Sequence, residues 1–262
     1  MTRSIYQVDS FTTERFKGNP AGVCLLERPA AAQWMQAVAH EMNISETAFL
    51  DPTDDGFNLR WFTPAVEVDL CGHATLASAH ILWETNVIGP DRTARFHTRS
   101  GVLSGSRDGD IIEMDFPADP EQPVEPPVAL LESLGVDPVY VGRTGYNYLV
   151  EVASEAEVMD TKPDFAKLES LGLLGSIVTS RADSDELDFV SRFFAPSAGI
   201  NEDPVTGSAH CSLGPYWGAK LNKTELAARQ VSSRGGDVRV RLAGDRVLIG
   251  GQAVTVMAID LL

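Results

Sequence analysis

The stretch Asp203-Pro204-Val205-Thr206-Gly207-Ser208-Ala209-His210 sets a carboxylate ahead of a rigid turn. A residue suited to a helix N-cap, two small residues and an apolar run through Trp217 follow. A helix start leaves several backbone N–H groups unpaired at the positive end of its dipole, which makes it an anion site. Thr206 is expected to cap those groups through its side chain. Gly207 and Ser208 let a ligand come close, and Asp203 would face it. The same letters also fit an ordinary capped core helix. An earlier stretch, Cys71-Gly72-His73-Ala74-Thr75-Leu76, opens another apolar helix. The dipole disfavours a cation at His73, so a neutral imidazole there could polarise a substrate; a half-exposed first-turn histidine fits equally. His210, in the second helix's first turn, either lines the site or packs inside. Glu46 falls on one strand face with Ile44, Ala48 and Leu50, where desolvation would raise its pKa toward general acid–base work. The opposite phasing leaves it solvated.

The two helix openings are related. Gly72 and Ala74 recur as Gly207 and Ala209, 135 positions on, and the same offset carries Arg99, Gly101, Gly109 and Asp110 onto Arg234, Gly236, Gly244 and Asp245. Phe62/Pro64 and Phe194/Pro196 precede the respective openings. A constant offset across a helix and a hairpin implies two copies of one unit. The expected units are 1–117, joined by a C-terminal strand over 253–262, and 118–252, with the proline-rich segment 117–138 as the connection. Around them alternation predicts strands at 4–11, 23–26, 43–50, 57–62, 94–98, 101–106 and 111–116, and a helix over 30–42. In the second copy it predicts strands at 139–142, 146–152, 175–180 and 188–194, with helices near 127–134 and 163–171. The helices opening at Gly72 and Gly207 are apolar nearly all round and must be enclosed, most simply by a curled sheet. Pro215 inside the second is expected to kink or end it.

The 262 residues carry a formal net charge of −16. That charge argues against nucleic acid and anionic membrane surfaces as partners. No apolar run approaches the ~20 residues of a membrane span. A start directly into a strand, without a leader, and three cysteines in a mid-sized chain point to a soluble, cytoplasmic protein without structural disulfides. Cys71, His73, His210 and Cys211 match neither a structural nor a three-ligand zinc pattern, so no metal is assigned. No dinucleotide or phosphate-loop motif opens a helix and no nucleophile elbow occurs, so no cofactor is assigned either.

In order along the chain, Val8-Asp9-Ser10-Phe11, Gly18-Asn19-Pro20-Ala21-Gly22-Val23, Ser45-Glu46-Thr47-Ala48-Phe49, Cys71-Gly72-His73-Ala74-Thr75 and Glu202-Asp203-Pro204-Val205-Thr206-Gly207-Ser208-Ala209-His210 resemble the PhzF family of phenazine-biosynthesis-like isomerases. The resemblance implies a diaminopimelate-epimerase-like α/β (α+β) fold: two pseudo-symmetric units, each a mostly antiparallel, barrel-like sheet around a central helix. It places the active site in the cleft between them. It also implies a cofactor-independent isomerisation of a small carboxylate, in the family's characterised member trans-2,3-dihydro-3-hydroxyanthranilate, and typically a homodimer. The proton-carrying glutamate falls on Glu46, with His73 and Asp203 beside it in function and Gly72, Gly207 and Ser208 at the helix starts. His210 and Cys71 join the expected substrate-binding set. Epimerases of this fold place a cysteine at each helix opening. Here Cys71 holds the first position but Thr206 the second, which disfavours a two-thiol reaction. An amino-acid epimerase or racemase, and a non-catalytic small-molecule-binding or regulatory protein, stand as alternatives.

Overall fold

The computed structural model describes residues 3–145, 147–171 and 175–261. The chain divides into two compact units, Met1–Asp115 with Gly250–Leu262, and Phe116–Ile249.

In the first unit the elements run β1 (Arg3–Ser10), β2 (Asn19–Leu25), α1 (Ala32–Met42), β3 (Glu46–Thr53), β4 (Gly56–Phe62), β5 (Glu67–Val68), α2 (Gly72–Glu84), β6 (Ala94–Thr98), β7 (Gly101–Asp108) and β8 (Ile111–Pro117). The second holds β9 (Gln122–Pro123), α3 (Val128–Leu134), β10 (Tyr140–Arg143), β11 (Asn147–Glu151), α4 (Glu155–Asp160), α5 (Phe165–Ser170), β12 (Gly175–Arg181), β13 (Phe189–Ala195), β14 (Ile200–Asp203), α6 (Gly207–Leu221), β15 (Glu225–Gln230), β16 (Gly236–Ala243) and β17 (Arg246–Gly251). The last strand, β18 (Ala253–Leu261), pairs antiparallel with β1. The expected strand at 146–152 starts on Tyr146, outside the described residues, and α4 has no counterpart among the expected elements.

Pairing repeats between the units. β1–β2 and β10–β11 are antiparallel, β2–β3 and β11–β12 parallel, β3–β4 and β12–β13 antiparallel, and β4–β6 and β13–β15 parallel. The antiparallel pairs β6–β7 and β15–β16 follow. Gly109 and Gly244, 135 apart, both take positive φ (58° and 68°) at turns, a conformation glycine adopts without strain.

Each unit is built around one buried helix. In α2 only Gly72, His80 and Glu84 escape full burial, and the helix packs against β1, β2, β3, β7 and β18. Its polar residues are made compatible with that interior by local bonds: Thr75 Oγ1 donates to Cys71 O (2.6 Å) and Ser78 Oγ to Ala74 O (2.7 Å). In α6, Trp217 stacks on Phe189 (centroids 5.8 Å apart) and donates its indole N–H to Thr179 Oγ1 (3.0 Å). Pro215 does not end this helix, which continues to Leu221. The proline cannot donate to Cys211 O, but the Asp119 N–H does (3.1 Å), so the carbonyl it orphans is satisfied from outside the helix. Among the described residues no helix is long and apolar enough to cross a membrane.

Candidate active site

The first unit gathers Glu46, Cys71 and His73 into one buried cluster. α1 ends on Asn43, whose left-handed backbone (φ 48°) lets its N–H close on Ala39 O. The chain then turns so that Glu46 is the first residue of β3, in parallel register with Ala21 of β2. β3 is buried from Glu46 through Asp51 on both faces, and Ile44 lies before the strand. The expectation that Glu46 shares one buried face with Ile44 is thereby corrected: alternation carries no information in a strand covered on both sides. Glu46 itself is 9% exposed, and its Oε2 lies 3.1 Å from Nε2 of His73, which is 6% exposed.

His73 sits in the first turn of α2, and its backbone carbonyl accepts from Ser10 Oγ (2.8 Å), tying the helix start to the end of β1. The Asn19 side-chain amide meets Nδ1 at 3.2 Å, fixing the ring with Nε2 toward Glu46. Cys71, the N-cap residue, brings Sγ within 3.6 Å of Nδ1. Burial opposes the imidazolium of His73, whereas the Cys71 sulfur and the Glu46 carboxylate favour it; the balance lies upward, with the pKa well above its ordinary value. Burial, and then the Glu46 charge, push the Cys71 thiol up, away from the thiolate a base would need. A largely buried carboxylate and imidazole 3.1 Å apart are placed to accept and return a proton. The donor atoms of Glu46, Cys71 and His73 all lie within 4.8 Å of one another. The group that could hold a metal joins Cys71 and His73 to Glu46, 25 residues earlier in the chain, and includes neither His210 nor Cys211.

In the second unit Asp203 ends β14 and Gly207 opens α6. Thr206 is the N-cap residue, but its side chain does not cap the helix; this corrects the expectation. Its hydroxyl instead donates to Asp203 Oδ2 (2.5 Å), because a carboxylate is a stronger acceptor and lies three residues back in the same turn. The Thr206 N–H goes to Gln230 Oε1 (2.9 Å), while Gln230 Nε2 donates to Asp203 O (2.6 Å). Gln230, wholly buried, is the residue that shapes this turn, and nothing in its sequence context singled it out. Gly207 is buried and Ser208 exposed; in the first unit Gly72 is half-buried. Neither α2 nor α6 has a side-chain cap on its first N–H groups.

One clamp occurs in both units. Arg60 of β4 is bidentate to Glu67 of β5 (2.7 and 2.8 Å) and lies over Phe62 (5.2 Å). Arg192 of β13 is bidentate to Glu202 of β14 (2.7 and 2.9 Å) and lies over Phe194 (4.8 Å). Each fork pins the short strand that leads into its buried helix.

The family model described as phenazine biosynthesis-like protein (PhzC-PhzF) matches residues 8–259. The chain belongs to the PhzF family. An uncharacterized isomerase of Halalkalibacterium halodurans is 55% identical over 263 residues, covering 100% of this chain and 99% of that protein. A crystal structure of a PhzF-family phenazine biosynthesis protein from Enterococcus faecalis superposes with a TM-score of 0.96 at 41% identity, covering 100% of both chains. At the level of fold alone, a probable proline racemase from Agrobacterium radiobacter matches with a TM-score of 0.64 at 12% identity, covering 100% of this chain and 93% of the other. The diaminopimelate-epimerase-like architecture expected from the sequence is the one observed.

In this PhzF-family chain His210 packs inside. It is 0% exposed, Nδ1 donates to Thr206 O (2.8 Å), and Nε2 has no hydrogen-bond partner among the described residues. Burial lowers its pKa from 6.5 to about 4, against a smaller upward pull from the Thr206 carbonyl. The folded state therefore holds a neutral ring while the unfolded chain takes up a proton through pH 6.5. Stability from this group is complete above that pH and is lost as pH falls toward about 4, by on the order of 3 kcal/mol. Urea midpoints measured between neutral pH and roughly pH 4 are expected to fall less steeply in His210→Gln than in the parent.

Proposed function

We propose that the protein is an isomerase that moves a proton on a small carboxylate, with Glu46 as the group that accepts and returns it. The observation carrying this reading is the buried Glu46–His73 contact of 3.1 Å beside the uncapped start of α2. A proton drawn from carbon onto Glu46 is accompanied by charge on the substrate carboxylate, which first-turn N–H groups are suited to hold. His73 supplies or withdraws hydrogen-bond support as the Glu46 charge changes. The names of the family's relatives, which include isomerases, agree with the reaction class. By the family resemblance we assign Asp203, Gly207 and Ser208 to substrate binding, with Asp203 suited to an ammonium or hydroxyl of the substrate. Cys71 is set aside as the proton carrier because its thiol pKa is raised and Thr206, not a second cysteine, opens α6.

Incubating the protein with cyclic and amino carboxylates in deuterated water tests the proposal. Deuterium should enter at a carbon next to the unsaturation or carboxylate of the accepted compound, read by NMR. Saturable binding of such compounds with no exchange would favour a binding protein instead.

A further inference from the structure

The cluster at the start of α2 has the composition of a three-ligand zinc site: one carboxylate, one imidazole and one thiol, each largely buried, with Glu46 on β3, His73 in α2 and Cys71 at its N-cap. His73 Nε2 stands 3.1 Å from Glu46 Oε2 and 3.9 Å from Cys71 Sγ, and the three donor atoms all fall within 4.8 Å. Bonds of about 2.0–2.3 Å around a tetrahedral zinc ion require donors roughly 3.3–3.8 Å apart, so the widest pair needs to close by no more than about 1.5 Å. The Asn19 amide against Nδ1 holds the ring with Nε2 inward (3.2 Å); for Nε2 to ligate, the ring carries its proton on Nδ1 and the amide turns to present its oxygen to it. A thiolate and a carboxylate together supply two negative charges, matching a divalent cation in a place with little water to compete.

We propose that Glu46, Cys71 and His73 bind a zinc-class divalent cation, and that occupancy switches the isomerase off. The metal takes lone pairs of Glu46 Oε2, His73 Nε2 and Cys71 Sγ. The thiol proton leaves to solvent, and the ring binds as neutral imidazole with its single proton on Nδ1, a second ring proton, where present, leaving to solvent. A Glu46 carboxylate engaged by metal is no longer free to collect a proton from carbon. The inhibitory half of this proposal rests on the function proposed above; the binding half does not.

The test titrates the full-length protein with Co2+ in a non-chelating reductant, then displaces it with Zn2+. The expected result is one equivalent of bound cobalt with a thiolate-to-metal charge-transfer band. The band should vanish in Cys71→Ser and persist in Cys24→Ser and Cys211→Ser, whose thiols lie outside the cluster. Zn2+ should bind Glu46→Gln at least about tenfold more weakly, with far-UV circular dichroism showing that variant folded. Should Cys71→Ser fail to fold, alkylation of the parent mapped by mass spectrometry replaces it: Zn2+ should protect Cys71 selectively. No charge-transfer band in the parent, a band surviving in Cys71→Ser, or no protection of Cys71 overturns the site. If Zn2+ binds as described but deuterium exchange continues at saturation, the metal site stands and the role given to Glu46 fails. If exchange depends on Glu46 but no metal binds, the metal site alone fails.

Discussion

Glu46→Gln is expected to lower the rate of carbon–deuterium exchange by roughly 10²–10⁴-fold, the usual contribution of a positioned acid–base group. Glutamine fills the same volume and can still meet His73 Nε2, so the buried contact at 3.1 Å need not collapse. What it lacks is a basic oxygen. The loss should therefore fall on kcat, with KM changed little, because binding is assigned to other groups. A second readout follows from the electrostatics. The Glu46 charge helps to raise the His73 pKa, so removing it should move that titration downward. NMR of the His73 ring would show the shift even in a variant with no activity. Exchange within a few-fold of the parent, alongside the expected histidine shift, would mean that Glu46 shapes the site but does not carry the proton.

The second large effect is structural. Arg192→Met removes both bonds to Glu202 and three donated to the Val158, Met159 and Thr161 carbonyls at the end of α4 (3.3, 3.1 and 2.7 Å). Glu202 is left a mostly buried carboxylate without its fork. Breaking such a pair costs about 3 kcal/mol, which for a chain of this size lowers Tm by roughly 6–12 °C. The matching Arg60→Met should cost less, about 1 kcal/mol. Arg60 makes no comparable set of carbonyl bonds among those observed, and Glu67 keeps a second cation in Arg99 (2.7 Å). Glu202 adjoins Asp203 on β14, so Arg192→Met should also raise KM for the substrate. Melting curves of the two single variants and of Arg192→Met/Glu202→Gln check the account. The double variant should recover part of the loss, because no buried charge is then stranded.

The halves of the fold were legible because glycine is tied to backbone geometry. Gly109 and Gly244 mark equivalent turns, and Gly72 and Gly207 open equivalent helices at one offset. The arginine clamps escaped that reading because their spacing is not constant: Arg60 and Glu67 are 7 residues apart, Arg192 and Glu202 are 10. The second unit fits a 3-10 turn, Pro196–Ala198, between clamp arginine and glutamate, and the repeat slips by its length. Glu46 was located by motif, while its burial was not legible from alternation, since β3 is covered on both faces. Asn19 and Gln230, which orient His73 and the Asp203 turn, are single amides whose partners lie 54 and 24–27 residues away. Nothing local in a sequence announces such contacts. Pro215 misled for the same reason: the N–H that rescues Cys211 O belongs to Asp119, far off in the chain.

The most direct test of the assignment of proton transfer to a carboxylate is the exchange rate of Cys71→Ser in deuterated water, measured beside Glu46→Gln on the same accepted substrate. The account predicts that the serine variant keeps exchange within about threefold of the parent, since a buried, protonated thiol contributes packing and not chemistry. Exchange in Cys71→Ser that collapses to background, while Glu46→Gln retains it, would contradict the account and give the proton to the thiol.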